Sequence, residues 1–174
     1  MSVLSPRVVL RPLTSEDYED VVTLMNELTK GEPVVNDADG LAHFSELLDH
    51  EGTTVFGIEV YDRIVSCATL HILPNMTRSG RPYCLVENVV TLQAYRGKGF
   101  GKMVMNALRD TAWQANAYKI MLLTGQDRGA KGFYEGLGYT GNQKHGMVLR
   151  QVPPYKAPEE REQAIPSPQA VLLD

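Results

Sequence analysis

Apolar residues recur at a helical spacing in two places in the first part of the chain. A short apolar run at residues 7–13 predicts a strand, after which Thr14 supplies a helix N-cap. The first helix should end at Gly31 and Pro33, and residues 37–40 supply the cap of a second, shorter helix. The apolar faces of the two helices are Tyr18, Val21, Val22, Met25 and Leu28, and then Leu41, Phe44 and Leu48.

Strand patterns dominate the middle of the chain, where β-branched residues are concentrated. Residues 53–60 and 64–73 are separated by Tyr61-Asp62-Arg63, which is typical of a hairpin. A loop at 74–82 leads to a third run at 85–91, so we expect three consecutive antiparallel strands. The remaining predicted elements are a helix from Phe100, a parallel strand at 119–123, a helix at 130–137 closed by Gly138, and a last strand at 147–152.

A glycine-rich turn joins the third of these strands to a helix. The turn reads Arg96-Gly97-Lys98-Gly99-Phe100-Gly101, and Phe100, Val104, Ala107 and Leu108 then recur at helical spacing. Glycines let a ligand approach the main chain, and the unpaired N–H groups of a helix N-terminus attract phosphate. The motif is not a P-loop, because Arg96 and Met103 stand at its required positions, and Lys102 excludes a dinucleotide fingerprint.

Composition limits the classes of function. The chain has 174 residues, 43% of them hydrophobic, which suits one domain. We expect that domain at residues 1–152 and a proline-rich arm at 153–174. The net charge of −4 argues against nucleic acid or a membrane surface as partner. The isolated Cys67 and Cys84, and the lack of a leader pattern, are typical of a cytoplasmic protein, and we expect no metal.

The R-x-x-G-x-G turn between a strand and a helix resembles the acyl-CoA pyrophosphate loop of the GCN5-related N-acetyltransferase (GNAT) family. The opening LRPLTSEDY and the later FYEGLGY resemble the same family, so the similarity covers about residues 7–152. The stretch IVSCATLHILPNMTRSGRPYCLVENVV, followed by AYKIMLL, is similar to the glucosamine-phosphate N-acetyltransferase branch. The resemblance implies a single α/β domain of GNAT fold: a mixed, twisted sheet with helices on both faces, splayed where acyl-CoA enters.

The resemblance also implies a binding site for acetyl-CoA. Arg96 and the N–H groups of residues 97–101 would bind the pyrophosphate, and Lys98 and Lys102 would add positive charge, unless they are only solvated surface lysines. Main-chain groups of the preceding strand would bind the pantetheine arm, as an added half-strand does. The cofactor-binding residues expected are Val89, Val90, Thr91, Arg96, Gly97, Lys98, Gly99, Phe100, Gly101 and Lys102.

Two further residues would carry the chemistry. Glu87 is an acid in an otherwise apolar strand, where desolvation would make its carboxylate a better base, and the family resemblance makes it the acceptor of the amine's proton. Tyr134 resembles the tyrosine that protonates the leaving thiolate. The alternatives are a structural or solvent-facing Glu87 and a Tyr134 that only packs. A cysteine nucleophile at Cys67 or Cys84 is disfavoured, because the sequence places no base beside either.

We therefore expect direct transfer of an acetyl group from acetyl-CoA to a primary amine of a small molecule in a ternary complex, by a homodimeric enzyme. The alternative is a non-catalytic acyl-CoA-binding sensor, which would need the turn but neither Glu87 nor Tyr134. The sequence does not decide whether the acceptor carries further positive charge or a negative group, as an amino-sugar phosphate does. The acids that suit a cation are Glu27, Glu32, Asp37 and Asp39, and the cations that suit an anion are Arg78 and Arg81.

Overall fold

The computed structural model of the chain describes residues 7–30 and 34–151. Gly31 and Pro33, where the first helix was expected to end, and the predicted arm at 153–174 lie outside the described residues. Within the described ranges, no helix combines the length and apolar character needed to cross a bilayer.

A five-stranded sheet forms the centre of the fold, with its strands in the order of the sequence. Each strand pairs antiparallel with the next, except that the last two are parallel. The mixed sheet confirms the predicted fold class. The strands are β1 (Val8–Pro12), β2 (Thr53–Val60), β3 (Arg63–Leu73), β4 (Tyr83–Thr91) and β5 (Ile120–Met121).

The helices cover both faces of this sheet. The helices are α1 (Tyr18–Thr29), α2 (Ala38–Asp49), α3 (Phe100–Gln114) and α4 (Lys131–Glu135). One buried cluster joins α1 and α2 to the sheet, and a second joins α3 to its other face. Leu24, which the predicted stripe on α1 omitted, is completely buried in the first cluster. Asp37 caps α2 as predicted, because its carboxylate accepts hydrogen bonds from the N–H groups of Asp39 and Gly40.

The C-terminal part of the described chain departs from the prediction. Residues 147–151 form no strand, and the side chains of Met147 and Leu149 are exposed. The sheet ends at β5, which pairs with β4 at only two positions, so it offers a very short edge for a further strand. The predicted strand at 147–152 is therefore wrong over its described residues, and the parallel strand at 119–123 is shortened to two residues.

Candidate active site

The edge of β4 is open beyond Leu85. β5 aligns Ile120 with Cys84 and Met121 with Leu85, after which the chain leaves the sheet. Among the described residues, the rest of β4 has no strand partner on this side. Unpaired main-chain groups on a strand edge can bind an extended ligand as an additional strand.

A β-bulge lies in this open part of β4. Thr69 of β3 is opposite Glu87 and Cys67 is opposite Val90, so two steps along β3 face three along β4. Asn88 has a φ of 55°, in the left-handed region that asparagine tolerates better than most residues. The bulge was not predicted, and the one sequence signal for it was an asparagine inside an apolar strand.

The bulge changes the face of the sheet to which β4 side chains point. Val86 belongs to the cluster under α3, whereas Val90 belongs to the cluster under α1 and α2. Between them, Glu87 and Asn88 are consecutive and both exposed. The expectation that Glu87 is desolvated by its strand is therefore wrong, because the bulge interrupts the packing there. By alternation from Val86, Glu87 lies on the α1–α2 face, the face on which Asn88 also lies.

The main chain beyond the bulge divides between the two edges of β4. The Val90 carbonyl accepts a hydrogen bond from Ser66 Oγ at 3.2 Å and so points toward β3. Because backbone groups alternate along a strand, those of Val89 and Thr91 face the open edge. The Thr91 carbonyl accepts a hydrogen bond from Arg96 Nε at 3.0 Å. Of the three residues predicted to bind the pantetheine arm, Val90 is the one whose main-chain carbonyl is directed toward β3 and away from the open edge.

The glycine turn has the backbone that an anion site requires. Gly97 and Gly99 have φ values of 75° and 85°, and a Cβ on either would meet nothing within 4 Å. Gly99 is the N-cap of α3, and the first hydrogen bond of the helix runs from Met103 N–H to its carbonyl. The N–H groups of residues 100–102 consequently have no partner within the helix. The buried Phe100 ring anchors this helix end to the core.

The arginine of the glycine turn is ion-paired, whereas the lysines beside it are not held in this way. Arg96 Nη2 donates to Glu27 Oε1 on α1 at 2.6 Å, so the guanidinium links α1 to the turn. Glu27, one of the acids expected to suit a cationic acceptor, is thus paired with Arg96 in the structure. Lys98 Nζ lies 4.9 Å from the centroid of the Tyr95 ring, and Lys102 is exposed. The two lysines thus remain candidates for pyrophosphate binding, whereas Arg96 already has two partners.

Tyr134 lies on α4, half-buried against the cluster under α3. Its ring centroid is 5.1 Å from that of Phe133 and 6.0 Å from that of Tyr139. Phe133 packs beside the start of α3, since a Cβ on Gly101 would lie 3.4 Å from Phe133 Cζ. Burial raises the pKa of the Tyr134 hydroxyl, and the negative charge of Glu87 adds to that rise. The Tyr134 phenol therefore stays protonated near neutral pH and lies within electrostatic range of Glu87.

The two arginines proposed for an anionic acceptor have structural partners instead. Arg81 donates to the carbonyl oxygens of Asn116 and Ala117 at 3.0 and 3.2 Å. The Arg78 guanidinium lies 5.8 Å from the centroid of the Tyr118 ring. These partners follow the C-terminus of α3, about 20 Å along the helix from the glycine turn. Recognition of a phosphate or carboxylate by this pair is therefore not supported by their positions.

The acids expected to suit a cationic acceptor do not form one site, and neither cysteine is accessible. Asp37 caps α2, and Glu32 lies outside the described residues. Cys67 and Cys84 are both free and buried, and burial raises the pKa of the Cys67 thiol to about 12, which disfavours a thiolate nucleophile. Among residues 7–30 and 34–151, no three His, Cys, Asp or Glu side chains are grouped to hold a metal ion.

The mixed five-stranded sheet with helices on both faces matches the acyl-CoA N-acyltransferase fold of similar solved structures. The sequence matches the model of the Acetyltransferase (GNAT) family over residues 18–139, a range that includes β4, the glycine turn and Tyr134. The chain belongs to this family. The family resemblance noted in the sequence is thereby confirmed.

Three known proteins illustrate what the chain is similar to. The glucosamine 6-phosphate N-acetyltransferase of Trypanosoma brucei brucei is 31% identical over 137 residues, covering 78% of this chain and 90% of the relative. A solved structure of an Agrobacterium tumefaciens str. C58 protein is 39% identical with a TM-score of 0.78, covering 82% of this chain and 99% of its own. Glucosamine-6-phosphate N-acetyltransferase from Arabidopsis thaliana shares the fold, with 24% identity, a TM-score of 0.74 and coverage of 84% and 99%. The family match and the similarity to the Trypanosoma brucei brucei enzyme show that the chain is an N-acetyltransferase.

Proposed function

We propose that the protein transfers the acetyl group of acetyl-CoA directly to a primary amine of a small molecule, within a ternary complex. The observation that carries the proposal is the open edge of β4 followed by the glycine turn at the N-terminus of α3. Glu87 lies in the open part of β4, and the pKa of Tyr134 is raised by burial and further by the charge of Glu87. A sensor would need neither group. The GNAT family uses acetyl-CoA, which supports the same donor here.

The chain supplies groups suited to holding the donor. The N–H groups of residues 100–102 point out of the α3 N-terminus toward a pyrophosphate, with Lys98 and Lys102 nearby in sequence. Main-chain groups of Val89 and Thr91 on the open edge would hold the pantetheine arm. Acetyl-CoA supplies the activated acyl group, and this arrangement directs it toward the bulge.

A base for the amine and a hydrogen-bond donor for the sulfur then account for the transfer. Glu87 takes a proton from the acceptor's ammonium, and the free nitrogen attacks the acetyl carbonyl as the C–S bond breaks. Tyr134 donates a hydrogen bond to the departing sulfur. Its pKa is raised above the ordinary value near 10, whereas a thiol is near 8.5, so the phenol stabilises the thiolate more than it surrenders its proton. The second proton lost by the nitrogen protonates the thiolate to the free thiol of CoA. Glu87 releases the first proton to solvent, which leaves both groups ready for another turnover.

Amino sugars and amino-sugar phosphates are the first acceptors to test, because the curated relative is a glucosamine 6-phosphate N-acetyltransferase. The assay follows thiol release from acetyl-CoA with and without amine, and mass spectrometry identifies the acetylated amine and the intact protein mass. We expect amine-dependent thiol release and no acetylated protein. Binding of acetyl-CoA without amine-dependent release would favour the sensor instead, and a stoichiometric acetyl-protein would contradict direct transfer.

We further propose that the enzyme is a homodimer in the cytoplasm, with residues 153–174 as an arm on the partner. Exposed apolar side chains at Met147 and Leu149, directly before the arm, support a contact there. Two free cysteines support a reducing compartment. Light scattering on the full chain and on a chain ending at Val152 tests the arm. We expect the truncated chain to form smaller particles, with a drop in solution mass larger than the mass of the removed residues. An unchanged number of chains per particle would contradict this.

A further inference from the structure

A cavity of about 280 Å³ lies between the sheet and the pair of helices α1 and α2. Its walls come from both helices, from the link between them and from β2, β3 and β4. Asn88 of the bulge is one of the lining residues, so the cavity adjoins the proposed reaction site. Val35, another lining residue, is 52% exposed, so the cavity is open to solvent there.

The lining of this cavity is apolar and carries no carboxylate, ammonium or guanidinium among its described residues. Met25, Phe44 and Leu47 are representative of its walls. Tyr18 also lines it, but its hydroxyl already donates to the Val35 carbonyl at 2.7 Å. The remaining polar side chains of the lining are His43, Thr69 and Asn88.

Such a lining discriminates strongly between acceptors. Among the described lining residues, the His43 imidazole is the one side chain that can carry a positive charge, so a phosphate moved from water into this space regains little of its lost hydration. An apolar body gains free energy in the same space, since it removes apolar surface from water. An apolar cavity of about 150 Å³ holds benzene, so the larger volume here accommodates a ring with a short alkyl chain.

We propose that this cavity binds the apolar body of the acceptor while Glu87 binds its ammonium group. The preferred acceptor is then a small arylalkyl or branched alkyl primary amine, and a phosphorylated amino sugar is a poor one. This inference rests on the proposed acetyl transfer and narrows its acceptor class. The bulge supplies the connection, because Glu87 lies on the sheet face that bounds the cavity and is adjacent to Asn88 in the chain.

Acceptor competition tests the preference. The rate of amine-dependent thiol release is measured at saturating acetyl-CoA with 2-phenylethylamine, glucosamine and glucosamine 6-phosphate. We expect kcat/KM for 2-phenylethylamine to exceed that for glucosamine 6-phosphate by at least about tenfold, which is the scale on which apolar pockets discriminate. A higher kcat/KM for glucosamine 6-phosphate would overturn the inference and leave acetyl transfer intact.

A pair of variants on α2 tests the location. Leu47→Gln introduces a polar group of similar size into the cavity wall, and Leu41→Gln makes the same change at a position that is 39% exposed and outside the lining. Leu47→Gln should lower kcat/KM for 2-phenylethylamine about tenfold and leave KM for acetyl-CoA unchanged. Leu41→Gln should change neither. If Leu47→Gln does not fold, Val35→Asn at the half-exposed wall replaces it with the same expectation.

Calorimetry separates the two proposals. Binding of 2-phenylethylamine is measured in the presence of CoA, for the wild type and the same variants. Binding that Leu47→Gln weakens, without any amine-dependent thiol release, would uphold the cavity and overturn the transferase. Equal binding by the wild type and by Leu47→Gln, or no binding at all, would overturn the cavity assignment whatever the enzyme does with other amines.

Discussion

Substitution of Gly99 by valine should weaken CoA binding far more than it weakens the fold. Gly99 is the N-cap of α3 at a φ of 85°, and nothing lies within 4 Å of the position of an added Cβ. The fold therefore has space for the valine side chain, and its only loss of stability comes from the positive φ, which valine disfavours. A bound pyrophosphate would compete with the valine for that same space, in front of the N–H groups of residues 100–102.

Gly80 provides a matched control for the backbone cost. It has a φ of 75°, and the nearest atom to an added Cβ is a backbone oxygen at 4.0 Å. Gly80 precedes β4, whereas the glycine turn follows the other end of that strand. A left-handed backbone costs an L-residue about 1–2 kcal/mol, so Gly99→Val and Gly80→Val should lose similar stability. For a chain of this length each kcal/mol lowers Tm by about 2–4 °C.

The affinities should then separate the two variants. Loss of one charge-assisted hydrogen bond to the pyrophosphate costs about 1.5–3 kcal/mol, which corresponds to about a 10- to 150-fold rise in Kd. Titration calorimetry with CoA and thermal denaturation of the same samples measure both effects. We expect Gly80→Val to retain the wild-type Kd. Equal Kd values for Gly99→Val and the wild type would remove the pyrophosphate from this turn.

Three further variants address other parts of the site and the core. Tyr134→Phe should lower kcat about 100-fold without changing the Kd for CoA. The factor by which kcat falls should be the same from about pH 6 to 9, because the raised pKa keeps the phenol protonated throughout that range. A factor that changes with pH would contradict this. Glu27→Gln should raise the Kd for CoA up to about fivefold, as expected if its ion pair with Arg96 positions the turn, whereas tighter binding would show that Glu27 competes with the pyrophosphate for Arg96. Leu24→Ala should lose about 2–5 kcal/mol of unfolding free energy in urea, whereas Leu41→Ala at an exposed position of α2 should lose much less.

Local sequence signals were sufficient for the elements that frame the site. The stripe from Tyr18 to Leu28 repeats at helical spacing, and the Asp37 cap and the β2–β3 hairpin depend on neighbouring residues. Periodicity and capping are short-range properties, so they can be read from a single sequence. The glycine turn was predicted for the same reason, since its conformation depends on Gly97 and Gly99 themselves.

Features that depend on distant parts of the chain were not predicted. The bulge at Asn88 is defined by its register with β3, and the Arg96–Glu27 ion pair joins residues 69 positions apart. The exposure of Glu87 follows from the bulge rather than from its apolar neighbours. The run at 147–151 has the composition of a strand, but a strand also needs an edge to pair with, and β5 is too short to provide one. Register and pairing partners are properties of the folded chain.

The central claim is that Glu87 removes the acceptor's proton, and the pH dependence of Glu87→Gln tests it most directly. Glutamine keeps the shape of the side chain and removes its basicity, and Glu51→Gln, another exposed position, is the control. The amine-dependent rate is measured from about pH 6 to 9.5, a range over which an alkyl amine with a pKa near 10.4 increasingly supplies its own free base. The account predicts a large deficit for Glu87→Gln near pH 7 that shrinks as the pH rises, while Glu51→Gln follows the wild type. A deficit that stays the same at every pH would contradict the general-base role and leave Glu87 with a positioning role only.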